Sequence, residues 1–116
     1  MQWFQLALID QIIDGSKTAT VRFVAWSEGL DANNTALHVG ATYDVIDRDG
    51  MTRCRVRLTG IELVRWDAIP ERLWRRDPAV SGEISLEAFR ADHWDYFHQP
   101  SDDFAFLGVY FDRVDG

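Results

Sequence analysis

The segment Phe104–Phe111, reading Phe-Ala-Phe-Leu-Gly-Val-Tyr-Phe, constrains this chain more than any other. It carries no charge and is apolar at nearly every position. Alternate side chains of a strand point to opposite sides, so a strand of this composition needs apolar cover on both faces. The rest of the chain must supply two covering layers.

The candidates for those layers are legible. Residues 3–14 place Phe4, Leu8 and Ile12 four apart with Ile9 and Ile13 beside them, which predicts an amphipathic helix stopped by Gly15. Thr18–Val24 alternates, with Val21 and Phe23 on one side and Thr20 and Arg22 on the other, as in a half-buried strand. Tyr43–Asp47 is a short strand, and Asp49-Gly50 turns the chain into Thr52–Leu58. There Cys54, Val56 and Leu58 oppose Arg53, Arg55 and Arg57, and a bend at Gly60 carries the strand on to Val64. Asp67 is suited to cap a helix over 68–75, with Pro70 tolerated in its first turn. Ser85 caps a helix over 86–98 whose stripe is Leu86, Phe89, His93 and Phe97, and Glu87 suits its dipole. Residues 27–40 and 77–84 read as loops, the first long enough to suggest function. Strands and helices mixed without regular βαβ alternation predict an α+β fold, a small β-barrel flanked by helices. At 116 residues the whole chain, 1–116, is one domain.

Composition narrows the setting. An apolar share of 47% with five Trp, three Tyr and seven Phe belongs to a globular chain. No window approaches the roughly 20 apolar residues of a membrane span. The start has no basic n-region, so no signal peptide is expected. Cys54 is the sole cysteine, which excludes an internal disulfide, and it reads as a small core residue. A cytoplasmic monomer is the expectation. Nineteen acidic residues against 12 basic leave a formal charge of −7. A field of that sign repels long polyanions, so RNA binding should be weak and a small nucleoside-like substrate is favoured. Eleven of the basic residues are arginine, and Lys17 alone is lysine, the one cation here able to lose its proton when desolvated.

Around that lysine runs Gly15-Ser16-Lys17-Thr18-Ala19-Thr20-Val21-Arg22, which resembles the signature of the ASCH family, a Gly-x-Lys followed five residues on by Arg. Trp66-Asp67-Ala68-Ile69-Pro70-Glu71 after a strand ending in Thr59, then Leu86-Glu87-Ala88-Phe89-Arg90-Ala91-Asp92-His93, and finally Phe104-Ala105-Phe106 extend the resemblance over nearly the whole chain. It implies a PUA-like barrel with a cleft lined by the signature segment. Some small bacterial members hydrolyse the amide of N4-acetylcytidine, others are ribonucleases, and larger relatives bind RNA. The amidohydrolase motif Lys-Thr-x-Thr-x-Arg matches at every specified position. By that resemblance Thr20 is the nucleophile, Lys17 its proton acceptor and a downstream Glu the proton donor. Glu83, the only glutamate in the expected loop, is therefore the expected donor; spacing from the strand side would favour Asp77, which stands in reserve.

The chemistry sets its own conditions. A threonine hydroxyl is a poor nucleophile unless a base takes its proton. An amine does so only where burial or a nearby cation lowers its pKa, and Arg22 is such a neighbour in sequence. On an ideal strand residues 17 and 20 point oppositely, so the pair can meet only if Lys17 belongs to the turn after Gly15. Arg22 is suited either to an oxyanion or to a structural ion pair. Trp26, beside the long loop, is suited to stacking on a pyrimidine base or to the core. The row Arg53, Arg55, Arg57 fits phosphates or a solvated face. His93 on its apolar stripe reads as a packed, hydrogen-bonded histidine. His98 and Asp102-Asp103 match no metal-ligand spacing, so no metal and no cofactor is expected. The activity expected from this resemblance is an amidohydrolase of N4-acylated cytidine or cytosine, with a ribonuclease or an RNA-binding module on the same fold as the alternatives.

Overall fold

The computed structural model of the protein describes residues 6–24 and 37–114, with side chains from Leu8 onward. Helix α1 spans Leu6–Asp14, strand β1 Ala19–Arg22, β2 Thr42–Ile46 and β3 Thr52–Arg65. A 3₁₀ turn over Trp66–Ala68 precedes α2, Glu71–Arg76, then α3, Leu86–His93, and β4, Ala105–Arg113. The four strands form one antiparallel sheet in the order β1-β4-β3-β2, curled into a half-barrel. The fold is α+β, as expected.

Strand β4 is central and covered on both faces. Leu107, Val109 and Phe111 face one apolar cluster, in which Ile9 and Ile12 of α1 meet Val45, Cys54, Val56 and Leu58. Phe106 and Tyr110 face the other, with Leu73 of α2, Phe89 of α3, Trp66, Phe97, Ala19 and Val21. Gly108 lets α2 sit this close, because a Cβ there would lie 3.3 Å from the Leu73 side chain. Substituting it forces a core side chain to shift.

Local chemistry explains where the elements end. Gly15 closes α1 at φ +89°, the left-handed conformation glycine adopts without a Cβ clash. The hairpin after β2 is held by Asp47, whose Oδ1 accepts from the amides of Asp49 and Met51. Strand β3 runs unbroken past Gly60 with a register shift between Leu58 and Gly60 that supplies the bend.

Two helices differ from expectation. Ile69 is extended ahead of Pro70, as a residue before proline tends to be, so the helix expected over 68–75 splits into a 3₁₀ turn and α2. Asp67 makes no cap; it forms a two-point pair with Arg65. The Ser85 side chain does cap α3, accepting from the Ala88 amide at 3.0 Å. That helix ends at His93, five residues early, and His98 and Gln99 both take positive φ. The Gln99 amide bonds back to the Trp94 carbonyl, folding Phe97 into the second cluster without a helix. Among the described residues no helix is long and apolar enough to cross a membrane.

Candidate active site

The segment after α1 is tied down residue by residue. The Gly15 amide bonds the Ile12 carbonyl, and the Lys17 amide bonds that of Gln11. Lys17 therefore still belongs to the turn, and β1 begins two residues later. Thr18 is fastened to the end of α2, its amide donating to the Arg76 carbonyl and its hydroxyl accepting from the Arg76 guanidinium at 2.8 Å. Its carbonyl accepts from the Phe111 amide.

The bond between Thr18 and Phe111 sets the orientation of β1. Ladder bonds in an antiparallel pair alternate, so with Thr18 turned toward β4 the carbonyls of Ala19 and Val21 turn to the free edge of the sheet. Both are met by basic residues of the motif. Lys17 Nζ donates to Ala19 O at 2.8 Å, and Arg22 Nη1 donates to Val21 O at 3.2 Å.

Lys17 is only 2% exposed, a burial that lysine tolerates only when paired. Its ammonium contacts Asp77 Oδ1, and Asp77 is 3% exposed. Asp77 sits at the C-terminal cap of α2, one residue beyond the Arg76 that grips Thr18, and this brings the carboxylate to the lysine. Its second oxygen, Oδ2, has no hydrogen-bond partner among the described residues; His93 Nε2 lies 3.5 Å away, an ion-pair separation. Burial pushes the Asp77 carboxyl up, but the Lys17 ammonium and His93 outweigh it and hold it below the ordinary carboxylate value.

Thr20 is buried on β1 opposite Val109 and so shares the face of the first apolar cluster. No hydrogen bond joins it to Lys17 among the described residues. Glu83 is exposed; its amide bonds Ser81 Oγ and its carbonyl accepts from Ala79. The structure thus brings Lys17 to Asp77 and leaves Glu83 on the surface. Arg22 is half-buried, near enough to Tyr96 for its charge to oppose the upward push of burial on that phenol. Trp26 lies outside the described residues. A cavity of about 380 Å³ opens between α1 and loop 78–84, reaching the site's flank at Ser16 and Pro78.

The arginine row has a different fate. Arg55 pairs with Asp44 at 3.0 Å and Arg53 with Asp47 at 3.6 Å. Elsewhere Arg65, Arg72 and Arg75 pair with Asp67, Glu62 and Glu71. Cys54 is a core residue, 1% exposed. His93 is packed as expected, its Nδ1 2.7 Å from the Phe89 carbonyl, but its approach to Asp77 was not legible; the only hint was a titratable ring on an apolar stripe.

The same architecture occurs elsewhere. An ASCH domain from Lactobacillus crispatus superposes with a TM-score of 0.78 at 16% identity, over 97% of this chain and 77% of that one. A protein from Enterococcus faecalis gives 0.64, also at 16% identity, over 98% and 79%. No curated protein matches the sequence. The ASCH domain profile matches residues 4–106, a span that includes the Lys17–Arg22 motif, Asp77 and His93. The chain belongs to the ASCH domain family.

Proposed function

We propose that this protein hydrolyses the amide of small N4-acylated cytosine nucleosides or bases, with Thr20 as nucleophile, Lys17 as base and Asp77, in place of Glu83, as acid. One observation carries this reading. The only lysine of the chain lies inside a complete Lys-Thr-x-Thr-x-Arg motif and is buried against a buried carboxylate. Hydrolase and RNA-related roles are both proposed within the family.

The Asp77 carboxyl rests ionised, held low by Lys17 and His93. A bound substrate that closes the site to water would penalise both charges of the pair, and the proton on Lys17 then passes to Asp77, leaving an amine and a carboxylic acid. The amine must release the Ala19 carbonyl and turn to Thr20. It takes the Thr20 proton while Oγ1 attacks the acyl carbon, and Arg22 steadies the developing oxyanion. Asp77 gives its proton to N4 as the C–N bond breaks, releasing cytosine or cytidine and leaving an ester on Thr20. Water then attacks the ester and passes a proton to Asp77. The Thr20 oxygen recovers one from Lys17, and the carboxylic acid leaves. A neutral substrate suits a chain of charge −7 in which Arg53, Arg55, Arg65, Arg72 and Arg75 are paired with acids.

Hydrolysis of N4-acetylcytidine, followed chromatographically beside degradation of a labelled RNA with and without chelator, tests the reading. Thr20→Ala should abolish turnover, and so should Lys17→Arg, because a guanidinium cannot accept the proton. Asp77→Asn should lose about 10²–10⁴-fold, whereas Glu83→Gln should stay near wild type. RNA cleavage with the nucleoside untouched would replace this reading with the ribonuclease one.

A further inference from the structure

Among the described residues Asp77 Oδ2 is a buried acceptor without a hydrogen bond, and groups of that kind are costly in folded proteins. The polar atom that approaches it is His93 Nε2, at 3.5 Å. The imidazole is held rigidly. Its Nδ1 is 2.7 Å from the Phe89 carbonyl, which can only accept, so Nδ1 carries a proton. Nε2 therefore donates to the carboxylate only when the ring is an imidazolium. The ring also packs on Phe89 at 4.2 Å and on Phe97 at 6.0 Å between centroids. The titratable groups facing it are Asp77 from the end of α2, with Lys17 behind it, and Tyr96 from the turn after α3, 6.4 Å away. Among the described residues its other ring contacts, Phe89 and Phe97, are apolar.

We infer that His93 is a positioning residue that holds the Asp77 carboxylate against Lys17, completing a buried Lys17–Asp77–His93 row. With His93 on one oxygen and Lys17 on the other, the carboxylate has one orientation. Without His93, Oδ2 is free to rotate toward Lys17 and the carboxylate loses that fixed orientation. The catalytic consequence rests on the proposed hydrolysis; the contact itself does not.

Two variants separate holding from packing. His93→Gln keeps an amide nitrogen near the place of Nε2, and His93→Phe keeps a ring but has no donor. Melting should put His93→Phe roughly 4–8 °C below His93→Gln, which alone keeps a donor for Oδ2. In an Asp77→Asn background that gap should close. If Asp77→Asn does not fold, the apolar pair Lys17→Met with Asp77→Leu serves as the background. Equal melting of the two His93 variants, or a gap that persists without the carboxylate, would overturn the proposal. Where N4-acetylcytidine is hydrolysed, His93→Phe should lower kcat by roughly 10²-fold with KM little changed, and His93→Gln should recover most of it. Equal loss of kcat in both variants would also sink the positioning role. If wild type hydrolyses nothing, the substrate reading fails, and the melting comparison still decides the contact.

Discussion

Two charged regions on one sheet are built oppositely. At the β1 edge a single lysine is 2% exposed and meets a carboxylate from a residue 60 positions away. On the β2–β3 surface Arg53, Arg55 and Arg57 stand in a row on the solvent face, two of them paired with aspartates of β2 or its hairpin. The surface row has more charge, but water screens each pair and the gain per contact is small. The edge pair has lost its water, so each partner depends on the other, and a proton moving between them changes the local field greatly. More charge in sequence thus does not mean more chemistry; burial decides.

The contrast between the two regions breaks most readily at Lys17. Lys17→Met alone leaves Asp77 buried without its cation and should cost about 3–5 kcal/mol, read by urea unfolding. Lys17→Met with Asp77→Leu should recover most of that loss, because no uncompensated charge remains. A single variant as stable as wild type would mean that the pair is not desolvated in solution.

Acid titration gives a smaller effect with a definite sign. The folded Asp77 carboxyl lies below its ordinary value of 3.8. Its contribution is therefore present above that value and lost as pH falls through the lower, folded one. Melting temperature against pH should fall below about pH 4, and Asp77→Asn should flatten part of that fall. An unchanged acid limb in the variant would place the sensitivity elsewhere.

Tyr110 is a local probe of burial with a smaller effect again. Burial, and the bond its hydroxyl donates to Glu62 at 3.0 Å, push its phenol up to about 12. Difference absorbance should find a phenol ionising at about 12, and Glu62→Gln should bring it down. The smallest effect belongs to the surface row. Arg55→Ala should change stability by no more than about 0.5 kcal/mol, and a larger loss would mean that this exposed pair behaves like the buried one.

Much of the frame was legible because its signals are local. Ser85 caps α3 through an amide three residues on, and Gly15 stops α1 through its own φ. The alternation of Cys54, Val56 and Leu58 with arginines is a period of two that one buried face produces. Helix limits near prolines and left-handed residues were less so. Asp67 turned to Arg65 instead of capping, and α3 stopped at His93 because the chain after it folds back through His98 and Gln99.

The sequence by itself determined a doubly covered strand, an α+β fold with a small barrel of strands around it, and a motif built on the one lysine. That Lys17 lies in the turn was decided by the bond of its amide to the Gln11 carbonyl. Nor did the sequence determine which carboxylate meets that lysine. Glu83 and Asp77 occupy the same loop region and differ little in local pattern. Asp77 meets Lys17 because Arg76, its neighbour, binds Thr18, the lysine's neighbour, and so clamps the end of α2 to the start of β1. His93 reaches the same carboxylate from a third element, α3. An ammonium leaves water only where an anion touches it, and packing of elements distant in the chain chooses that anion.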